Sequence, residues 1–413
     1  AIAEAARVMG LSLEGLLKEC TTLKHGCTVG TNAVINRLGA KVGIITTKGF
    51  EDTTLIGRCI QRVDGLKDEE IVRMAYITKP EPLVPKARLR GVYERIDFRG
   101  NVIVPINIED AKEQIRYLME NEKVEAIGVS LLFSWVNSVH EYKIKELISQ
   151  MYPNNELFAT YSHELLPLIR EYGRANAIII NCFIGKIMEQ YLHNLHEKLR
   201  ARGFGGSFMV MQSNGGITSW DKVSPLRTLS SGPAGGVIGG QYMANITEHD
   251  NVITTDMGGT SFDVGVIIDR KISYEREPII GRWRIMMPMI KVDSIGAGGG
   301  TIARADKLVQ RLTVGPDSAG AYPGPACYDK GGTEPTVCDA DLILGFLNQD
   351  NFWGGKLRLN KAKAEQVMGE KIARPLNMDL VEAAAGIFTL ICVAITKTLS
   401  RNQTRLILPK FPM

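Results

Sequence analysis

The sequence contains no Cys-x-x-Cys pair, no His-Glu-x-x-His motif and no Gly-Lys-Ser/Thr closing a glycine loop. Its seven cysteines (20, 27, 59, 182, 327, 338 and 392) are odd in number and lack paired spacing. That argues against a zinc ribbon and a disulfide framework, and fits a reducing cytoplasm. His193 and His196 stand three apart beside Glu197, Lys198 and Arg200, the pattern of a solvated helix face rather than a metal site. Neither sign of charge dominates: Lys+Arg 49 against Asp+Glu 45 leaves a net +4, too little to argue for nucleic acid. No apolar run reaches the about 18 residues of a membrane span; Ile387–Ile395 is about half that and reads as a core helix. There is no signal-peptide pattern, and the chain opens inside an apparent helix, as though its true start lay upstream.

What is present suits a globular protein of two or three domains: 413 residues, 45% hydrophobic and 23% charged. Strand-like runs at 41–50 and 124–134 alternate with helical patterns at 109–121 and 140–153, which predicts a mainly parallel α/β sheet. The segment 84–106 interrupts this as a hairpin turning at Arg99-Gly100. From about Ser207 small-residue loops become frequent, with a boundary near residue 200.

The stretch NVITTDMGGTSFDVGVIIDRKISYERE (251–277) predicts a three-strand antiparallel meander whose first turn is Met257-Gly258-Gly259-Thr260. Glycines there allow positive φ and close backbone approach, so successive N–H groups can converge on an anion. The hydroxyls of Thr260 and Ser261 add donors. Asp256 and Asp263 would repel a bare phosphate unless a hydrated divalent cation stood between, and Mg²⁺ takes one or two carboxylates plus phosphate oxygens. The pattern therefore suits a hairpin gripping Mg-nucleotide phosphates; a tight turn with surface aspartates is the bland alternative. A second cluster, Gly296, Gly298, Gly299 and Gly300, follows Asp293, and a third, SGPAGG (231–236), runs as a loop into a helix whose N-terminus suits phosphate. Arg170, Glu171 and Arg174 have the spacing of helical ion pairs, and His25 that of a hydrogen-bonded structural histidine. Thr28, Thr31 and Asn32 fit either a cleft lining or a helix cap. Asp317, Glu334, Asp339 and Asp341 lie in Gly-Pro-rich loops as candidate cleft or cation residues.

Taken together, HGCTVGTNAVINRLG (25–39), SHELLPLIREYGR (162–174), SSGPAGG (230–236), DMGGTSFDVG (256–265), DSIGAGGGTIA (293–303) and GTEPTVCDADLILG (332–345) resemble the A-type subunit of the hydantoinase/oxoprolinase family. The resemblance implies an actin-like and sugar-kinase-like (RNase H-type) two-domain fold with an interdomain nucleotide cleft. It divides the chain into an N-terminal domain, 1–200, and a second actin-like domain, 201–413. It implies Mg-ATP held by Asp256, Gly258, Gly259, Thr260, Ser261 and Asp263, with Gly296, Gly298 and Gly299 facing the same cleft. It also implies a B-type partner subunit in a hetero-oligomer without nucleic acid or membrane. Phe262, the run DSIGAG, GRCIQ (57–61) and PLVPKARLRGVYERID (82–97) lean towards ketone carboxylases of the acetone and acetophenone type, which join a ketone and bicarbonate. Cyclic amide hydrolysis by a hydantoinase, oxoprolinase or lactamase is the alternative, and a degenerate scaffold the second. Three departures, the absence of the family's further C-terminal domain among them, point to a partial view of a longer protein. The family's first Asp-x-Gly-Gly-Thr hairpin is missing upstream, and its Gly-Gly-Ala-Gly-Pro loop is missing between LSRNQ (399–403) and LILPKFP (406–412).

Overall fold

The runs Val42–Thr47 and Ala126–Ser130 are almost wholly buried, as parallel strands covered on both faces must be. In the computed structural model, which describes residues 2–59, 62–66, 68–72, 74–153 and 157–407, they form the centre of a parallel sheet. The sheet runs Leu89–Val92, Val42–Thr47, Ala126–Ser130, Phe158–Tyr161. Adjacent residues part to opposite faces. Ile44 packs with Ile178 and Ile180 of the long helix Glu171–Arg200, whereas Ile45 packs with Ile115, Ile144 and Leu147 of Ile108–Arg116 and Val139–Met151. The expected hairpin pairs Arg95–Ile96 with Val102–Val104 and turns at Gly100.

The chain packs as two compact units, Ala1–Gly235 with Tyr274–Ile290, and Gly236–Ser273 with Lys291–Met413. The units part at 235–236 rather than near residue 200, where the helix Glu171–Arg200 ends and the sequence suggested a boundary. The excursion Tyr274–Ile290 departs from the expected meander. Only Lys271–Ile272 pairs as a third strand, and from Tyr274 the chain leaves to form two short pairs of its own. It is strapped to the first unit by charge. Glu277 bonds Arg58 at 2.7 Å and Arg170 at 2.8 Å, and Arg284 bonds Asp64 at 2.8 Å. Hydrogen bonds from Arg58, then those from Arg170, hold the Glu277 carboxyl down at about 2.

In the second unit Phe262–Ile268 pairs with Val252–Met257 and Lys271–Ile272, and also with Val292–Ile295. A second two-stranded sheet, Thr301–Asp306 with Arg311–Ser318, is followed by the helices Val337–Ile343, Lys361–Met368 and Leu380–Ile407. Ala383, Ala384, Ile387 and Ile391 of the last helix enter the core, as expected of 387–395. The expectation that nothing is long enough to span a membrane needs correction, however. Leu380–Asn402 is long and apolar enough to do so by length and composition, with only 22% of its 18-residue window buried. Interspersed Gly, Thr and Glu broke the apolar run in the sequence, yet the mean hydropathy of the window stays at 1.8. Most of LILPKFP (residues 408–412), and Ile60 and Gln61 of GRCIQ, lie outside the described residues.

Candidate functional site

Strand register brings the two predicted aspartates together: Asp256 is the direct partner of Asp263, and Met257 of Phe262. The turn between them closes with Gly258 N donating to Ser261 O at 3.0 Å. Asp256, Gly258, Gly259 and Thr260 are exposed, while Ser261 and Asp263 are half-buried. The Ser261 hydroxyl donates to Asp263 Oδ2 at 3.3 Å. Burial pushes the Asp263 carboxyl above its ordinary range; the Ser294 and Ser261 hydroxyls pull it back, and Asp256 pushes it up again.

The second glycine cluster locks onto this turn because Val292–Ile295 pairs with Phe262–Ile268, so the loop after Ile295 starts beside the hairpin tip. Gly299 N donates to Gly258 O at 3.1 Å, and Gly300 N to Gly259 O at 2.7 Å. The Ser318 hydroxyl, which the sequence did not flag, reaches Gly259 O at 3.4 Å. On the far side Cys338 N donates to Gly299 O at 2.7 Å, fixing the loop to the helix Val337–Ile343. The reason for glycine differs from the one expected, since none of Gly258, Gly259, Gly296, Gly298 or Gly299 has a positive φ. Close approach governs the second loop: a Cβ on Gly298 would lie 2.6 Å from Thr260 N and 2.7 Å from Gly258 O. At Gly258 and Gly259, by contrast, a Cβ would meet no protein atom within 4 Å. The carbonyls of the turn face the second loop, and its outer surface is open.

The third cluster behaves otherwise. SGPAGG is not a loop, because the helix Ser231–Ile246 begins at Ser231. Ser231 is fully buried, accepting from Cys27 N at 3.1 Å and donating to Cys27 O at 3.0 Å. Ser230 N donates to Thr31 Oγ1 at 2.9 Å, so Thr31 is a structural tie; Thr28 precedes the helix Val29–Ile35 without capping it through its side chain. His25 bonds the Tyr191 hydroxyl at 2.8 Å, as a structural histidine should. Arg170 and Arg174 do not form the expected ion pairs along a helix. The helix starts only at Glu171, Arg170 bonds Glu277, and the buried Arg174 donates to the carbonyls of Leu168 and Leu131.

Among the Gly-Pro loop acids, Asp317 pairs with Arg304 at 2.7 Å and Glu334 with Lys371. Asp339 is a buried capping residue, accepting from Cys327 N at 2.7 Å and Thr336 N at 2.9 Å. Asp341 alone of the four has a buried oxygen, Oδ1, with no partner, and burial pushes its carboxyl up to about 6. The sequence reading also missed two buried acid–histidine pairs near the carboxyl ends of the first unit's strands. Glu94 lies 2.7 Å from His140 Nδ1, and Glu141 lies 2.6 Å from His163 Nδ1 while accepting from Leu131 N and the Ser162 hydroxyl. His140, Glu141 and His163 fall in the His-Glu dipeptides at 140–141 and 163–164, but Glu94 carries no local signal. Among the described residues no three His, Cys, Asp or Glu side chains gather as a metal cage.

Comparison with known proteins gives these features a context. Residues 174–405 match the family Hydantoinase/oxoprolinase, and residues 2–152 match the Hydantoinase/oxoprolinase N-terminal region. The acetophenone carboxylase gamma subunit of Aromatoleum aromaticum is 40% identical over 91% of this chain and 52% of its own length. The caprolactamase subunit alpha of Pseudomonas jessenii is 34% identical over 97% of this chain and 56% of its own. A solved nucleotide-free acetone carboxylase, from a study of ATP-dependent acetone carboxylation, superposes with a TM-score of 0.88. It is 31% identical, covering 96% of this chain and 56% of that one. The chain thus spans about half the length of the curated relatives it matches. The fold is the actin-like two-domain α/β fold of these neighbours, and the chain belongs to the hydantoinase/oxoprolinase family.

Proposed function

We propose that this chain is part of the nucleotide-using subunit of an ATP-dependent ketone carboxylase, acting with a B-type partner subunit in the cytoplasm. The observation that carries the nucleotide assignment is the hairpin tip. It offers an open glycine turn, flanked by cross-strand carboxylates and hydroxyls, braced from behind by the Gly298–Gly300 backbone. Asp256 and Asp263 supply the one or two carboxylates that Mg²⁺ accepts when phosphates complete its shell. Gly258, Gly259, Thr260 and Ser261 would approach the phosphates, with Gly296, Gly298 and Gly299 as the brace.

In this reaction an oxygen of the enolised ketone or of bicarbonate attacks the γ-phosphorus, the bond to the bridging oxygen breaks and ADP leaves. The role of the site is to position that phosphoryl group and neutralise its charge. The ketone assignment rests on the 40% identity to the acetophenone carboxylase subunit. Cyclic amide hydrolysis is the second reading, favoured by the 34% identity to the caprolactamase subunit.

Phosphate release by the complex purified with this chain separates them. Release that requires ketone and bicarbonate together supports the carboxylase. Release driven by a lactam or hydantoin alone transfers the chain to the amide hydrolases, and no Mg-ATP binding at all reduces it to a scaffold.

A further inference from the structure

The first unit carries a partly open pocket of about 190 Å³ that the nucleotide reading does not use. Its wall is mostly apolar and comes from four stretches distant in sequence, one of them the segment 79–84. Thr54 and Leu55 lie on the short helix Thr53–Ile56, Tyr172 and Asn176 on the helix Glu171–Arg200, and Trp283 on the returning strap. An apolar cavity of about 150 Å³ admits benzene, so this pocket has room for a single ring with a small substituent.

The wall is held in place before any ligand arrives. Trp283 pairs with Ile280, has the Arg37 guanidinium 5.6 Å from its ring centre, and precedes Arg284, which is bonded to Asp64. Asn176 Nδ2 donates to Arg284 O at 2.9 Å. Lys79, also in the wall, donates to the carbonyls of Leu55 at 2.9 Å and Ile56 at 3.5 Å. Those two bonds anchor the ammonium and use two of its three protons.

We propose that this cavity is a binding site for a compact, neutral carbonyl compound, its apolar body against Trp283 and its carbonyl oxygen accepting from Lys79 Nζ. The inference rests on the carbonyl chemistry proposed above, whose two sources, an aryl ketone and a lactam, share this recognition. A sugar-like ligand would leave its hydroxyls unpaired against the apolar wall; the neutrality of the ligand follows from the proposed reaction.

The test compares the wild-type complex with Thr54→Phe, which fills the cavity, and Leu55→Ala, which enlarges it. ADP release is followed with acetophenone, acetone and caprolactam, each with and without bicarbonate. Thr54→Phe is expected to raise KM for the carbonyl compound about tenfold or more while KM for ATP stays unchanged. Leu55→Ala is expected to shift preference towards ketones with a longer alkyl arm. Unchanged carbonyl KM in both variants overturns the site. Saturation-transfer NMR with acetophenone and with caprolactam, on the same complexes, decides the matter independently of turnover. Transfer that Thr54→Phe abolishes upholds the site even where ATP hydrolysis fails and the carboxylase reading falls. No transfer to the wild type removes the site whatever the turnover shows.

Discussion

Asp256 and Asp263 stand directly opposite each other across an antiparallel pair, one exposed and the other half-buried. Such partners project from the same face with Cβ atoms about 5 Å apart, where like charges destabilise. The Asp263 carboxyl is accordingly raised, chiefly by burial and further by Asp256. A raised carboxyl contributes stability that is fully present below its unfolded value and lost as pH rises through its folded value. Asp263→Asn should therefore melt higher than the wild type at neutral pH without Mg²⁺, by roughly 0.5–1 kcal/mol, with the gap closing as pH falls towards 4. The same variant should lose at least about tenfold in Mg-ATP affinity, since Mg²⁺ loses a charged oxygen ligand. Melting curves with and without Mg-ATP test both halves. If Mg-ATP raises the melting point of variant and wild type equally, these carboxylates do not hold the cation.

Gly298 and Gly259 separate packing from binding. A Cβ at Gly298 would strike the backbone at Thr260 N and Gly258 O, atoms that cannot swing aside, whereas a Cβ at Gly259 meets nothing within 4 Å. Gly298→Ala should thus lower stability by about 1–3 kcal/mol and weaken nucleotide binding by displacing the hairpin tip. Gly259→Ala should leave urea unfolding unchanged within about 0.5 kcal/mol yet weaken Mg-ATP binding, because the methyl occupies the space left for phosphate. Normal nucleotide affinity in Gly259→Ala would show that the open face of the turn is not the binding face.

The sequence was readable wherever the determinant was local. Alternating strand and helix periods revealed the parallel sheet, and the Gly-Gly turn between Asp256 and Asp263 was visible because hairpin register follows from turn length. It failed where a distant partner decided. SGPAGG reads as a loop on glycine propensity, but Ser231 is gripped on both sides by the Cys27 backbone, and tertiary packing overrides the weak local preference. KISYERE alternates like a strand throughout, yet Glu277 meets Arg58, and Arg284 meets Asp64, each more than two hundred residues away in sequence. Gly298 could be recognised as a glycine cluster member but not as the position where two backbones touch.

Asp339 and Asp341 show the same limit at shorter range, and the second of them yields a prediction. The two acids are separated by one residue on the helix Val337–Ile343. Asp339 satisfies four donors around the helix start, whereas Asp341 keeps Oδ1 buried without a partner. Burial alone lifts the Asp341 carboxyl from 3.8 to about 6. Its contribution to stability is thus complete below the unfolded value of 3.8 and is lost as pH rises through about 6, where the folded state must bury a charge. Asp341→Asn removes that charge at nearly constant volume. It should stabilise the second unit at pH 7.5 by about 1–2 kcal/mol, after discounting the shift for partial exposure, and by almost nothing at pH 4. Asp339→Asn should do the reverse, costing roughly 1–3 kcal/mol at neutral pH because buried backbone donors lose their acceptor. Urea titrations of both variants at the two pH values distinguish the acids. A destabilised Asp341→Asn at pH 7.5 would mean that its carboxylate has a partner in the folded protein.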